Sequence, residues 1–220
     1  ALFNEKTRYD YSGAPYISHT GIHWMFDVEI DPFDSDHVLF TTGYGGHETH
    51  NLTAFDKGDT VVWEIMSRGI EETVALELLS PPEGARLISA IGDYGGFVHW
   101  VLDKPVPEGN FVNPHFGNTD GIACAWLKPE IIVRVGGASH QKPDQKNIGF
   151  SITGGHSWQP ASTMPEADSR HGHIAVSGDG EYWIWTPKNS VPYVTHNQGK
   201  NWSACSGLPE NTRTVADKMN

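Results

Sequence analysis

The chain has 220 residues, enough for one large domain or two small ones, and its hydrophobic fraction of 38% predicts a folded core. A net charge of −12 argues against nucleic acid or an anionic membrane as a partner, because phosphate groups are bound by basic surfaces. No apolar run approaches the roughly 18 residues of a membrane helix. The two cysteines, Cys124 and Cys205, are too few for a disulfide scaffold.

The first twenty residues are polar and aromatic without a period, and we interpret residues 1–20 as a lead-in segment. From residue 21 onward short apolar strands alternate with turns. The 24 glycines and 14 prolines, with no long helical pattern, predict an all-β fold. The chain starts at Ala1 without a methionine, which fits a processed protein that is secreted and extracellular, or a fragment.

A strand pattern recurs four times along the chain. Each repeat starts with an apolar strand that ends in a turn marked by an acid or a proline, at residues 26–32, 76–81, 124–129 and 174–179. A second strand follows each turn, at residues 38–43, 86–93, 131–136 and 182–186. The prolines at positions 32, 81 and 129 are 49 and 48 residues apart. A period of this length, with up to four strands per repeat, is typical of a β-propeller.

The repeats predict four blades in a single domain over residues 21–220, with a fifth blade beginning near the end of the chain. The blades start near Trp24, Thr73, Gly121 and His173, and residues 213–220 begin the fifth. A propeller closes on itself so that no sheet edge is left open. We therefore expect this chain to be an incomplete part of a larger propeller.

Two eight-residue segments, 151–158 and 195–202, share one template. Each has a hydroxyl residue, a small polar residue two positions later, a glycine two further on and a closing tryptophan. The template resembles the Asp-box (BNR) turn of sialidase-type propellers, with Thr153 and Asn197 at the place of the usual aspartate. We expect its tryptophans, Trp158 and Trp202, to lie in the core between blades.

The most informative stretch is residues 88–100, in which an apolar run reaches Asp93 between three glycines. Glycine allows positive φ and close approach of a ligand, which predicts a tight loop between two strands that presents Asp93. A carboxyl group beside aromatic rings suits a carbohydrate site, because rings stack on sugars and a carboxyl moves protons. The rings are those of Tyr94, His99 and Trp100. The alternative is that Asp93 only stabilises a glycine turn.

Propeller geometry places further polar and aromatic residues on the same face as Asp93. These are His23, Trp24, Tyr44, His47, Glu71, Glu72, Tyr94, Asp120, His140, His171 and His173. We predict Trp24 and Tyr44 as additional substrate-binding residues, although Trp24 and Trp100 also fit a role in the core. The pair Glu71-Glu72 also fits an ordinary solvated loop.

Other chemistries have little support in the sequence. His171-Gly172-His173 has no carboxylate or cysteine nearby at zinc-like spacing, so we predict no metal and no cofactor. The glycines at 43–46 are not followed by a helix or by Lys-Ser/Thr, which excludes a phosphate loop. No Gly-x-Ser-x-Gly elbow occurs, so nucleophilic serine chemistry is not indicated.

In order and spacing, most of the chain resembles glycoside hydrolase family 74, the xyloglucanases and related oligoxyloglucan-specific cellobiohydrolases. The central match is residues 89–97, which read SAIGDYGGF. The remaining matches are residues 23–24, 30–36, 42–43, 71–73, 79–82, 133–136 and 215–220. His99-Trp100 and residues 44–47 depart from the family pattern, which leaves another polysaccharide open as the substrate.

The resemblance implies two seven-bladed propellers that face one another with the glucan between them. It implies hydrolysis of β-1,4-glucan with inversion, by one aspartate from each propeller. Asp93 occupies the position of the general acid in the second propeller, and the base lies outside this chain. The expected partners are therefore a polysaccharide and the remaining propeller of the same protein, with no nucleic acid and no membrane.

Two other functions stay open at this point. The first is a lectin-like propeller that binds carbohydrate without catalysis and uses Asp93 only as a hydrogen-bond acceptor. The second is a polysaccharide lyase with Tyr94 or His99 as the base. A lyase acts on uronic acids and needs a cation beside the site, for which only Arg134 and Arg213 are available.

Overall fold

The structure, a computed structural model, describes residues 5–16, 24–67, 73–137 and 145–219. It divides into two compact units, Ala1–Glu72 and Thr73–Asn220. Strands dominate both units, and the 3₁₀ helix Leu52–Phe55 is a single short turn. No helix in these described ranges is long and apolar enough to cross a membrane. The all-β prediction is therefore confirmed.

The described part of the first unit contains one five-stranded sheet. Its strands are β1 (Thr7–Asp10), β2 (Asp27–Ile30), β3 (His37–Thr42), β4 (Gly45–His50) and β5 (Val61–Ile65), in the order β1-β5-β4-β3-β2. Strand β5 alternates buried Val61, Trp63 and Ile65 with more exposed neighbours, as expected for a strand with one buried face. Val38 and Phe40 of β3 complete this core.

The segment predicted as a lead-in contributes a strand. Thr7–Asp10 pairs in parallel with β5, with Thr7 opposite Val61 and Tyr9 opposite Trp63. Four residues without a hydrophobic period give little signal in the sequence. The pairing exists because the edge of β5 offers free backbone groups to a neighbouring strand.

Within its described residues, the second unit contains three antiparallel sheets. The first has β6 (Ala75–Leu79), β7 (Leu87–Ile91) and β8 (Gly95–His99). The second has β9 (Asn118–Ala125), β10 (Lys128–Gly137), β11 (Ile148–Ser151) and β12 (Gln159–Pro160). The third has β13 (His173–Val176), β14 (Trp183–Thr186), β15 (Tyr193–Thr195) and β16 (Ser203–Ala204).

The middle sheet of this unit is buried on both faces. One hydrophobic cluster joins it to the first sheet through Ile88, Val98 and Ile132, and another joins it to the third sheet through Val133 and Trp183. Because both faces are covered there, residues 131–135 of β10 form an apolar run interrupted only by Arg134, rather than an alternating pattern. Hydrophobic packing between successive sheets holds the unit together.

Strands β2, β6, β9 and β13 begin at Asp27, Ala75, Asn118 and His173, within three residues of the predicted starts of the four repeats. The closed radial arrangement of a propeller stays a prediction. Residues 213–219, predicted to start a fifth repeat, form no strand in the structure. A strand needs a partner for its backbone groups, and no described segment pairs with these residues.

The two Asp-box-like segments form matching turns. Ser151 Oγ accepts the amides of Thr153 and Gly155, and Thr195 Oγ1 accepts those of Asn197 and Gly199. Their tryptophans lie where the template predicts, with Trp158 packed against the cluster between the first two sheets and Trp202 against the next cluster.

Candidate functional site

Asp93 lies at the tip of the three-residue connection between β7 and β8. The amide of Tyr94 donates to the carbonyl of Gly92 over 2.7 Å, and Asp93 between them has φ of 64°. These are the hydrogen bond and the dihedral of a γ-turn with positive φ, a rare and strained conformation for a residue with a side chain. The turn holds Asp93 out of the sheet, and its side chain is exposed.

The Asp93 carboxylate has no hydrogen-bond or ion-pair partner among the residues that the structure describes. An aspartate that only caps a turn accepts a local backbone amide through its side chain. Asp34 does this for Asp36 at 3.0 Å, and Asp179 does it for Glu181 at 3.0 Å. The Asp93 carboxylate is instead directed to solvent and available to a ligand.

The glycines after Asp93 are required by the surrounding backbone. Gly95 and Gly96 have φ of 80° and 136°. A Cβ on Gly96 would lie 2.0 Å from the carbonyl oxygen of Ser89, and one on Gly95 would lie 2.9 Å from that of Phe116. Gly92 differs, because a Cβ there would meet only ordinary contacts near 3.5 Å. Gly95 and Gly96 are therefore needed because they let the backbones of Phe116 and Ser89 come close to the turn.

Two asparagines from elsewhere in the chain hold the turn in place. Oδ1 of Asn118, at the start of β9, accepts the amide of Asp93 over 3.0 Å. Nδ2 of Asn110, which is 8% exposed, donates to the carbonyl of Tyr94 over 2.9 Å. The backbone of Asp93 is therefore anchored from two sides while its carboxylate stays free.

A buried arginine supports the segment that carries Asn110. Arg134 of β10 is fully buried and donates through one Nη to the carbonyls of Val112 and Pro114. Its guanidinium lies 4.8, 4.4 and 4.8 Å from the ring centroids of Phe111, Phe116 and Trp158. These ring faces stabilise the charge by cation–π attraction. Burial lowers the pKa of Arg134 to about 9, so it remains charged at neutral pH.

A pocket of about 500 Å³ adjoins the Asp93 turn through Asn118. It is within the size range of small-molecule sites. Its wall combines polar groups that could bond sugar hydroxyls with about as much apolar surface, and it is formed by Leu76, Asn118, Asp120, His171, Gly172, His173, Thr186, Lys188 and Asn211.

An aspartate–histidine pair lies in the wall of this pocket. Nδ1 of His171 is 2.8 Å from Oδ2 of Asp120, and both side chains are about one-quarter exposed. The backbone of His171 is fixed from two directions, since its amide donates to Gly136 and its carbonyl accepts Nε1 of Trp185. The pair therefore has a defined position and an accessible surface, as a ligand site requires.

The structure does not bring His99 and Trp100 next to Asp93. They lie at the opposite end of β8, about 13 Å or more along the strand from the Asp93 turn. Nε2 of His99 bonds Ser89 Oγ at 2.9 Å, and burial lowers the pKa of His99. Trp100 stacks on His156 at a centroid distance of 4.0 Å and packs against the core. Strand β8 therefore separates these two rings from Asp93, and as substrate-binding residues His99 and Trp100 stay predictions.

The other predicted aromatic residues have different environments. Tyr94 is 3% exposed, so its ring would reach a sugar only after the turn moved. Trp24 is 72% exposed, and Tyr44 lies half-buried in the turn between β3 and β4, both in the first unit. As substrate-binding residues, these three stay predictions.

The structure describes some, but not all, of the other residues that were predicted to lie on the same face as Asp93. His47 is 1% exposed and stacks on Phe40 at 4.8 Å, so it is a core residue. Asp120, His171 and His173 do meet in the pocket beside the Asp93 turn. The remaining predicted residues, His23, Glu71, Glu72 and His140, lie outside the described residues.

Sequence reasoning missed the groups that position Asp93. Asn118 and Asn110 lie in segments without a motif, and their partners are 25 and 16 residues away, which no local pattern reveals. Arg134 did carry a signal, because a lone cation inside an apolar run of β10 must be compensated within the core.

Comparisons with known proteins show relatives over almost the entire chain. No protein-family model matches it. A xyloglucanase of Paenibacillus is 35% identical over 231 residues, which cover 99% of this chain and 22% of the relative. A xyloglucanase of Acetivibrio thermocellus is 38% identical over 223 residues, with 96% of this chain and 26% of the relative covered.

A solved structure agrees with these relatives. The crystal structure of the GH74 xyloglucanase from Xanthomonas campestris superposes with a TM-score of 0.90 at 34% identity, over 100% of this chain and 31% of that chain. Almost the whole of this chain is therefore similar to one part of longer proteins named xyloglucanases, among them a solved GH74 structure. The chain spans about a quarter of the length of the curated relatives it matches, 22% and 26% for the two above.

Proposed function

We propose that the protein containing this chain is an inverting glycoside hydrolase of a xyloglucan-like β-1,4-glucan, with Asp93 as its general acid. The observation that carries the proposal is the γ-turn, which presents an unpartnered carboxylate beside a pocket with polar side chains in its wall, in a chain whose relatives are named xyloglucanases. The similarity of fold supports a propeller as the scaffold. We expect the protein to be secreted, since its substrate is a cell-wall polysaccharide.

The reaction requires two carboxyl groups with different tasks. The acid gives its proton to the glycosidic oxygen, while a carboxylate on the other side takes a proton from the water that attacks the anomeric carbon. Inverting enzymes hold these groups roughly 6.5–9.5 Å apart so that the water fits between them. We place the base outside this chain, in the facing propeller of the same protein.

The environment of Asp93 suits the acid. Its backbone is held by Asn118 and Asn110, so the carboxyl position is defined before substrate arrives. Its side chain is exposed, so a glucan can cover it. Covering a carboxyl group with a ligand removes water and favours the protonated form, which is the form an acid needs.

The pocket next to the turn supplies the remaining contacts. Asp120, His171 and Lys188 offer donors and acceptors to sugar hydroxyls. Trp24 and Tyr44 remain our proposed aromatic platforms, because flat ring faces match the apolar faces of pyranose rings. Arg134 is fully buried, so one of the two cations that a lyase could use is not available to a uronic acid.

The test compares Asp93→Asn with Asp103→Asn on xyloglucan. Asparagine tolerates positive φ, so the substitution keeps the turn and removes only the acid. Asp103 is an exposed aspartate after β8 and serves as the matched control. We expect Asp93→Asn to lose about 10²-fold or more in kcat, with Asp103→Asn unchanged. Full activity of Asp93→Asn would overturn the assignment, and binding of xyloglucan by an inactive wild type would favour the lectin-like alternative.

A further inference from the structure

Two histidines and a glutamate meet at one end of the β3–β4 hairpin in the first unit. His37 and His50 are directly opposite one another, and Glu48 lies two residues before His50 on the same face. Oε2 of Glu48 is 3.3 Å from Nε2 of His37 and 3.6 Å from Nε2 of His50. One possible ligand atom from each of the three residues lies within 4.8 Å of the other two.

These separations match the edges of a metal coordination shell. Zinc binds histidine nitrogen and carboxylate oxygen at about 2.0–2.2 Å, which places neighbouring ligands about 3.3–3.5 Å apart in a tetrahedron. The two contacts of Glu48 are 3.3 and 3.6 Å. Three protein ligands with one place left for water is a common arrangement for zinc.

A second carboxylate orients His37 for this task. Oδ2 of Asp31 is 3.3 Å from Nδ1 of His37, and Oδ1 of Asp31 accepts the amide of Phe33 over 2.9 Å. A proton on Nδ1 satisfies Asp31 and leaves the lone pair of Nε2 directed at Glu48. Metal-binding histidines usually donate their other ring N–H to a carboxylate in this way.

The same geometry creates an electrostatic problem that a cation solves. If His37 is neutral with its proton on Nδ1, the lone pair of Nε2 faces the carboxylate of Glu48. These two electron-rich groups repel each other. Either a second proton or a metal ion between them removes the repulsion.

We propose that His37, Glu48 and His50 bind one divalent transition-metal ion, best represented by Zn²⁺, with water completing its coordination. Imidazole and carboxylate ligands together suit this class of metal. The ion joins β3 to β4 and, through Asp31, the turn between β2 and β3. Its role is to stabilise the first unit.

Binding requires one local movement. The rings of His37 and His50 are stacked, with centroids 4.3 Å apart and planes within 12°. A nitrogen lone pair lies in the plane of its ring, so two parallel rings do not point at the same ion. The His50 side chain is 61% exposed and free to tilt, whereas that of His37 is 24% exposed and held by Asp31.

The experiment measures Zn²⁺ and Co²⁺ binding to the purified protein by calorimetry and by visible absorption. We expect Glu48→Gln and His50→Gln to remove one bound ion per chain, together with the strong absorption of four-coordinate Co²⁺. Asp31→Asn keeps all three ligands, and we expect it to weaken binding about 10–100-fold. His196→Gln changes an exposed histidine in the second unit and serves as the control.

The outcomes separate a metal site from a proton site. Zn²⁺ should raise the melting temperature of wild type and of His196→Gln but not that of His50→Gln, because a ligand that binds only the folded state stabilises it. The proposal is wrong if wild type binds no more Zn²⁺ than His50→Gln does. In that case His37 is simply protonated between Asp31 and Glu48.

Discussion

The amide of Asp93 donates a hydrogen bond to Oδ1 of Asn118 over 3.0 Å, although the two residues are 25 positions apart in the chain. Asn118 starts the next sheet and also lines the pocket. One side chain therefore sets the position of the proposed acid relative to the polar groups around it. Loss of this bond should affect chemistry more than stability, since Asp93 is exposed.

The first prediction concerns Asn118→Ala. A misplacement of about 1 Å can reduce a catalytic rate about 10²-fold, so we expect kcat on xyloglucan to fall about 10–100-fold with a much smaller change in melting temperature. Asn201→Ala alters an exposed asparagine on the second Asp-box-like turn and should leave kcat unchanged. An unchanged kcat for Asn118→Ala would show that the hydrogen bond does not position the acid.

The second prediction compares two glycines with positive φ. Gly84 has φ of 90° and open space where a Cβ would lie, whereas a Cβ on Gly96 would lie 2.0 Å from backbone. Gly84→Ala should lower the free energy of unfolding by about 1 kcal/mol, from the dihedral alone. We expect Gly96→Ala to lower it by more than about 3 kcal/mol. Urea denaturation measures the free energy of unfolding of both variants. Equal losses would show that the backbone at Gly96 moves to make room for a Cβ at little cost.

The third prediction concerns the buried cation. Arg134→Met fills a similar volume but leaves the carbonyls of Val112 and Pro114 without their donor and removes the cation–π contacts. We expect the free energy of unfolding to fall by about 2–4 kcal/mol, and that of the exposed control Arg86→Met to change little. A more stable Arg134→Met would mean that the desolvation of the charge outweighs its contacts.

The fourth prediction is a pH dependence that originates at His47. Burial lowers the pKa of His47 from 6.5 to about 4, so the unfolded chain binds this proton more readily than the folded chain. Stability from the neutral ring is fully present above pH 6.5 and is lost as the pH falls from 6.5 towards 4. Between pH 7.5 and pH 5 the loss is about 2 kcal/mol.

His47→Phe supplies the comparison, because it retains an aromatic ring against Phe40 without a titrating group. Unfolding free energies of wild type and variant are measured at both pH values, and all other groups cancel in the difference. Wild type should lose about 2 kcal/mol more than the variant on acidification. Equal losses of unfolding free energy in wild type and in His47→Phe would exclude His47 as the source of the pH dependence.

The sequence was most informative where a repeat or a local pattern existed. The recurring strand pattern predicted where strands β2, β6, β9 and β13 begin, to within three residues. The template of residues 151–158 and 195–202 predicted two turns together with the packing of their tryptophans. Gly95 and Gly96 indicated a constrained turn at Asp93. Backbone dihedrals in a turn and packing that repeats along the chain can be predicted from sequence because they depend on residues that are close together in the chain.

Features that depend on distant contacts were not predictable in this way. The parallel pairing of Thr7–Asp10 with β5 depends on a free sheet edge, and the anchoring of Asp93 depends on Asn118. His99 and Trp100 are close to Asp93 in sequence but lie at the other end of β8, because an extended strand rises about 3.3 Å per residue. Nearness along a strand is therefore poor evidence for a shared site.

The central claim is that Asp93 gives a proton to the leaving oxygen, and leaving-group dependence tests it most directly. A xyloglucan oligosaccharide with a dinitrophenyl leaving group needs no protonation to depart, whereas a sugar leaving group does. We expect Asp93→Asn to lose about 10²–10⁴-fold in kcat on xyloglucan but less than about tenfold on the activated substrate. Equal losses on both substrates would contradict the role of Asp93 as the general acid.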